Sequence, residues 1–276
     1  MLATLIIVFR EVMEAGLVAG IVLAATRGVP QRGRFVAYGI AGGVLLACVV
    51  AMFARTLGEA MEGFGQEYFN IGILSAAVLM LTWHNVWMAR HGREIATEMR
   101  ALGAEVASGN RTLTALAVVV GVAVLREGSE VVLFLYGVAI SGQNSAASML
   151  SGGALGLVLG VALACVTYLG LMRISNKNLF KVTTWMLALL AAGMATQIAF
   201  YLQQAQIVTV LGDVVWDSSA ILADSSIAGK ALHTLVGYTD RPTALQLLVY
   251  VAMLAVTAVL MRLFGHTPQP KLQATA

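Results

Sequence analysis

Hydrophobic positions fall into seven long blocks, and most polar residues lie between them. The blocks run roughly from Leu2 to Thr26, Phe35 to Ala54, Phe69 to Ala89, Leu113 to Ile140, Ala147 to Met172, Phe180 to Leu202 and Thr243 to Phe264. Each reaches the roughly 20 residues that an α-helix needs to cross a bilayer. The pattern therefore predicts an all-α integral membrane protein with seven transmembrane helices.

The segments between the blocks predict orientation. Arg27, Arg32, Arg34, Arg90, Arg93, Arg100, Arg111, Arg173, Lys177, Lys181, Arg262 and Lys271 occupy one alternating set of connections, whereas the other set holds only Arg55, Lys230 and Arg241. Basic residues flanking spans stay on the cytoplasmic side, so the N-terminus is expected outside and the C-terminus inside. The acids sort the other way, with Glu59, Glu62, Glu67, Asp213, Asp217, Asp224 and Asp240 on the outer set, where they either collect cations or keep the face soluble. Glu94, Glu98 and Glu105, interleaved with Arg93 and Arg100, read as a solvated amphipathic helix without chemistry. The segment from Gln203 to Pro242 carries small apolar patches, Ala220-Ile221-Leu222 and Ala231-Leu232, and is expected to be an external loop or a helix folded back over the entrance.

Composition agrees with this class: 59% of residues are hydrophobic and only 11% charged, which excludes a water-soluble domain and a nucleic-acid-binding surface. Cys48 and Cys165 are the two cysteines; both sit in apolar blocks and read as small packing residues. The first block has no basic leader and carries its charges in mid-span, so a retained helix is expected rather than a cleaved signal.

Those mid-span charges are the chain's main chemical feature, because charge inside an apolar span is costly and needs a function or a partner. Arg10-Glu11-Val12-Met13-Glu14 in the first block and Arg126-Glu127-Gly128-Ser129-Glu130 in the fourth share the pattern R-E-x-x-E. At about 100° per residue, the Arg and the two Glu of each motif fall near 0°, 100° and 40°, on one helix face. Each Arg stands four residues before the second Glu and neutralises one acid, leaving the other to seek a partner. The two motifs together hold four carboxylates and two guanidinium groups. A divalent cation would neutralise that set, which a low-dielectric interior favours. A plainer possibility is two helix-helix staples with the spare acids protonated. The carboxylate oxygens suit Fe, Mn, Mg or Ca, and the thirteen methionines, scattered through the spans, read as core filler. Met13, inside the first motif, is positioned to border the site. His84 and Asn85 in the third block and Gln197 in the sixth are further in-membrane polar residues; of these His84 is a candidate contributor.

The duplication extends beyond the motif. Leu45-Leu46-Ala47-Cys48-Val49 is echoed by Ala162-Leu163-Ala164-Cys165-Val166, 117 residues later. Three crossings per repeat is an odd number, so the second copy enters the membrane from the opposite side, an arrangement of many secondary transporters with the site near mid-membrane. The expected organisation is one transmembrane domain over residues 1–276: repeat one 1–90, repeat two 113–202, external segment 203–242, seventh helix 243–264 and a disordered tail 265–276.

The paired motifs in the first and fourth of seven spans resemble the iron permease family. The likeness covers nearly the whole chain. It includes Leu81-Thr82-Trp83 and Trp87-Met88, Trp216-Asp217-Ser218-Ser219-Ala220-Ile221-Leu222, and Gly237-Tyr238. The resemblance implies import of iron across the cytoplasmic (inner) membrane, with Glu11, Glu14, Glu127 and Glu130 as its ligands; beside them stand Arg10 and Arg126 as charge partners and Met13, Ser129, His84 and Asp217 as candidate accessory positions. Iron, as Fe2+ or Fe3+, is then substrate, and no organic cofactor is expected. The expected partners are iron, the lipid bilayer and a periplasmic iron-donor or oxidase/peroxidase protein. Family members usually carry R-E-G-L-E; here Val12-Met13 and Ser129 replace spacer residues, and the Ser129 hydroxyl is able to bond a backbone carbonyl. Two alternatives stand beside iron import: a membrane-embedded di-iron carboxylate oxidoreductase, and a carrier of another divalent metal such as Mn or Pb. Neither motif carries the Glu-x-x-His pair usual in di-iron centres.

Overall fold

The computed structural model describes residues 1–60, 66–141, 145–169 and 176–264. Their regular structure is helical: α1 (Leu2–Ala25), α2 (Arg32–Ala60), α3 (Gln66–Ala107), α4 (Thr114–Ile140), α5 (Ala146–Tyr168), α6 (Asn176–Gln204), α7 (Ile227–Val236) and α8 (Ala244–Phe264). Each apolar block has become one helix. The expected disordered tail lies outside the described residues.

Among the described residues, five helices contain stretches long and apolar enough to cross a membrane: Arg32–Thr56, Glu67–Met88, Ala146–Tyr168, Val182–Gln204 and Ala244–Phe264. At 24 and 27 residues, α1 and α4 are of comparable length, but each carries three charged residues within its motif. Large apolar side chains cover the outside of the bundle, among them Tyr38, Leu45, Met52 and Phe53 on α2, Leu150 and Val158 on α5, and Val251 and Leu263 on α8. Apolar cover of this extent suits lipid, not water.

α1 packs chiefly on α5, and α4 on α2; α1 and α4 also meet each other, and α3 packs on α6, α1 and α4. Small residues make the two main pairings close. A Cβ on Gly156 would stand 2.6 Å from the Leu5 carbonyl oxygen, and one on Gly43 would stand 2.6 Å from that of Gly121. These are backbone approaches that only glycine permits. The contacts follow one register: Gly39, Gly43 and Ala47 face Ala117, Gly121 and Gly128 of α4, while Gly152, Gly156 and Gly160 face Met1, Leu5 and Val12 of α1. Corresponding α1 and α4 positions are 116 residues apart, and corresponding α2 and α5 positions 113. That is one helical turn away from the 117 residues separating the echoed tracts, because a small residue at every fourth position offers the same surface after a shift of one turn.

Two sequence expectations change. Cys48 and Cys165 are exposed rather than packed; Ala47 and Gly43 make the close contacts that the cysteines were expected to make. The apolar run ending at Ala89 and the amphipathic stretch after it form one helix, α3, of 42 residues. At about 1.5 Å per residue this is roughly 60 Å, twice the bilayer core, so one end of α3 stands clear of it. The segment from Gln203 to Pro242 holds the short helix α7, one of the two forms expected for it, which packs on α6 and also touches α1. Gly237 ends α7 in the left-handed conformation (φ 70°), with its Cα against Gly193 of α6.

Two apolar clusters bracket the middle of the bundle. One includes Ala3 and Ile7 of α1, Leu74 to Leu81 of α3, Phe134 and Val138 of α4, and Leu187 to Ala195 of α6. The other includes Ala19 and Val22 of α1, Val36, Val106, and Leu116 and Val120 of α4. Both R-E-x-x-E motifs fall between them, since residues 10–14 lie between Ile7 and Ala19, and residues 126–130 between Val120 and Phe134.

Candidate metal site

Helix periodicity puts the charged side chains of each motif on one face, and packing turns both faces inward. Arg10 and Glu11 are 1% exposed, Glu14 and Glu130 4%, Glu127 8% and His84 2%. Each Arg pairs with the acid four residues on: Arg10 Nε lies 2.8 Å from Glu14 Oε1, and Arg126 Nε lies 3.3 Å from Glu130 Oε1. The first acid of each motif is held more loosely, at 3.4 Å from Arg10 and 4.0 Å from Arg126.

α3 brings the third element. His84 enters between the motifs, with Nε2 3.4 Å from Glu14 Oε2 and Nδ1 against Glu130 Oε2. One ligand atom each from Glu11, His84, Glu127 and Glu130 lies within 4.8 Å of the others. Three helices thus contribute to a single buried group of three carboxylates and an imidazole. Glu14 is not within that group; it stands between Arg10 and the second nitrogen of His84.

The cluster is short of proper hydrogen bonds. Among the described residues, both oxygens of Glu14, both nitrogens of His84, Arg10 Nε, and one oxygen each of Glu11, Glu127 and Glu130 are buried without an aligned partner. Short charge contacts exist, but their geometry leaves donor and acceptor directions unfilled. The oxygens and the imidazole are aimed at one another, an arrangement suited to an ion among them.

The remaining candidates are placed as follows. Ser129 Oγ donates to the Leu125 carbonyl at 2.7 Å, the bond expected of a hydroxyl at that spacer position. Met13 is buried. Asp217 is exposed, lies in the segment before α7, and pairs with Arg241 at 3.0 Å. The charge partners differ: Arg10 is enclosed, whereas the Arg126 side chain is 40% exposed and its Cζ lies 4.2 Å from the centre of the Trp87 ring. Asn85, next to His84, is 1% exposed, and neither of its amide atoms has a hydrogen-bond partner among the described residues. Sequence reasoning ranked His84 as accessory and assigned nothing to Asn85, because a single polar residue in a span has no second copy to mark it.

The profile of the iron permease FTR1 family matches residues 1–266. The chain belongs to that family. It is a membrane transporter and not an enzyme, so the oxidoreductase alternative falls. Among curated relatives, this family member is 29% identical over 255 residues to the ferrous iron permease EfeU of Escherichia coli O6:H1, covering 91% of each chain. It is 28% identical to EfeU of Shigella sonnei, over 91% of each chain, and 28% identical to EfeU of Yersinia pestis, over 91% of this chain and 89% of that one. No solved structure matches it.

Proposed function

We propose that this permease imports iron, taken as Fe2+, across the cytoplasmic membrane by way of the buried Glu11, His84, Glu127 and Glu130 cluster. The observation that carries the reading is the convergence of those four buried ligand atoms within 4.8 Å, between two apolar clusters. The ferrous preference rests on the names of the relatives and on the donor set, since carboxylate oxygen with one imidazole nitrogen suits a first-row divalent ion.

In this reading seven helices span the bilayer, α7 being the external exception, with the N-terminus outside and the C-terminus inside. Residues 1–90 and 113–202 are inverted repeats. Support comes from the exchanged pairings, α1 with α5 and α4 with α2, and from their common register. α1 and α4 are then the symmetry-related core helices.

Each residue has a distinct task. Four carboxylates and two arginines sum to two negative charges, which a divalent ion cancels. Arg10 and Arg126 keep the acids tolerable while the site is empty, and Glu14 fixes His84 from the side away from the ion. His84 faces a carboxylate at each nitrogen; a neutral ring has one N–H, so a proton or a cation is required at the other contact. The ion exchanges its water for protein ligands and leaves when the apolar layer on one side opens as the repeats rock. A periplasmic donor or an oxidase/peroxidase protein would deliver it at the acidic outer face.

The test is radiolabelled iron uptake into proteoliposomes, presented as Fe2+ under reductant and as Fe3+ with a weak chelator, for wild type and Glu127→Gln. Uptake of Fe2+ by wild type alone is expected, with excess Mn2+ competing weakly. Equal uptake by the variant would remove the cluster from the transport path, and preference for Fe3+ or Mn2+ would overturn the ferrous assignment.

A further inference from the structure

The ligand cluster connects to the water-exposed end of α3 along a single stripe. His84, Trp87, His91 and Glu94 are spaced by three, four and three residues, the repeat that keeps side chains on one helix face. Side-chain exposure rises along it, from 2% at His84 to 30% at His91 and 58% at Glu94. The contacts are continuous. Arg126, which holds Glu130, lies over Trp87, and the Trp87 ring stacks on His91 at 5.0 Å between centres with 19° between planes. The apolar stretch of α3 closes at Met88, one turn before His91.

His91 is arranged as a metal ligand. Its Nδ1 lies 3.1 Å from the Trp87 carbonyl oxygen, which can only accept, so Nδ1 carries the hydrogen. In the neutral ring this leaves the Nε2 lone pair open, the pattern by which a backbone carbonyl orients a metal-ligating histidine. Nε2 points at Glu94 Oε2, 3.8 Å away. That is too long for a hydrogen bond. It does fit two atoms sharing one ion, since ligands about 2.1 Å from a common first-row metal stand roughly 3 to 4 Å apart.

We propose that His91 and Glu94 form a second, looser metal-binding site, which takes a divalent first-row cation passing between the buried cluster and water along the α3 stripe. Two protein ligands with the remaining positions on water give weak binding. Weak binding is what a station on a transport path needs, since the ion must be able to leave. The proposal rests on the transport reading above and gives Glu94, which the sequence marked only as a solvated acid, a role. Arg126 stacked on Trp87 stands where the path leaves the cluster.

The test uses the purified full-length protein with Co2+ as probe. Cobalt bound to an imidazole gives a paramagnetically shifted, exchangeable N–H resonance. With the buried cluster disabled by Glu127→Gln and Glu130→Gln, one weakly bound Co2+ with one such resonance is expected. Adding His91→Ala should remove the resonance, and adding Glu94→Gln should weaken binding about tenfold. No bound Co2+ in the disabled background, or binding unchanged by His91→Ala, overturns the proposal. If the double variant does not fold, stoichiometry decides: two Co2+ in wild type against one in His91→Ala supports the site, and equal numbers overturn it. Failure of the buried cluster would be seen separately, as unchanged uptake in Glu127→Gln with the His91 signal intact.

Discussion

Nε2 of His84 lies 3.4 Å from Oε2 of Glu14, and the same ring's Nδ1 meets Glu130, so one side chain of α3 joins the two motifs. Neither motif completes the cluster alone. His84→Gln keeps a polar side chain but cannot meet both acids. Iron uptake should fall at least about tenfold, the scale seen when a ligand or its orienting partner is lost. Uptake at the wild-type rate by a folded His84→Gln protein would place the imidazole outside the path.

The two arginines predict unequal costs. Arg10 is enclosed, and its removal leaves Glu14 as a buried, uncompensated charge, a loss of about 3–5 kcal/mol. The Arg126 side chain is 40% exposed and Glu130 keeps its closer contact with His84, so loss of Arg126 should cost less than that of Arg10. Thermal unfolding of Arg10→Ala and Arg126→Ala in one detergent compares them directly. The opposite order would contradict the burial difference.

Glycine positions on one helix should also separate. A Cβ at Gly43 would come within 2.6 Å of the Gly121 carbonyl oxygen, whereas one at Gly42 meets nothing within 4 Å. Gly43→Ala should destabilise the fold by about 1–3 kcal/mol through overpacking. Gly42→Ala should be neutral or slightly stabilising, because alanine favours a helix over glycine by about 1 kcal/mol. Melting temperatures of the two variants check this, and equal effects would refute the close pairing of α2 and α4.

Outside the spans, Asp217 sets a pH dependence. The Ser219 hydroxyl and N–H, and then Arg241, hold its carboxyl down at about 2. Its folded value lies below its unfolded one, so the stabilisation is complete above the ordinary aspartate range, near 4, and is lost as pH falls through about 2. Asp217→Asn should therefore lower the melting temperature at pH 7 and at pH 5 alike, with the difference vanishing near pH 2. A gap that opens only above pH 6 would assign the effect to another group.

Much of this architecture was legible in the chain. Each apolar block of span length marked the apolar part of one helix, although α3 runs on to Ala107, well past its block, and the R-E-x-x-E motifs stood out because charge in a span is costly and these charges occur twice. The i to i+4 Arg-Glu pairs followed from helix geometry alone and are present in both motifs. The echoed tracts pointed to a duplication, one turn away from the register in which the helices touch, and they include cysteines that face outward. α7 was harder to see, since ten residues within a semi-polar segment give a weak periodic signal.

The sequence by itself determined what is local: the length and polarity of each helix, the face on which its charges lie, and the net charge that the paired motifs bring inside. Those properties depend on helix periodicity and on the cost of moving ions out of water, both of which act within one segment. The tertiary structure alone decided that His84 stands between the motifs, that Glu14 serves Arg10 and the imidazole instead of joining the four-atom group, that apolar layers close the site on two sides, and that Arg126 opens toward Trp87 and His91. These depend on which helices touch and in what register, and backbone contacts at glycine between residues roughly 80 to 150 positions apart along the chain set that register.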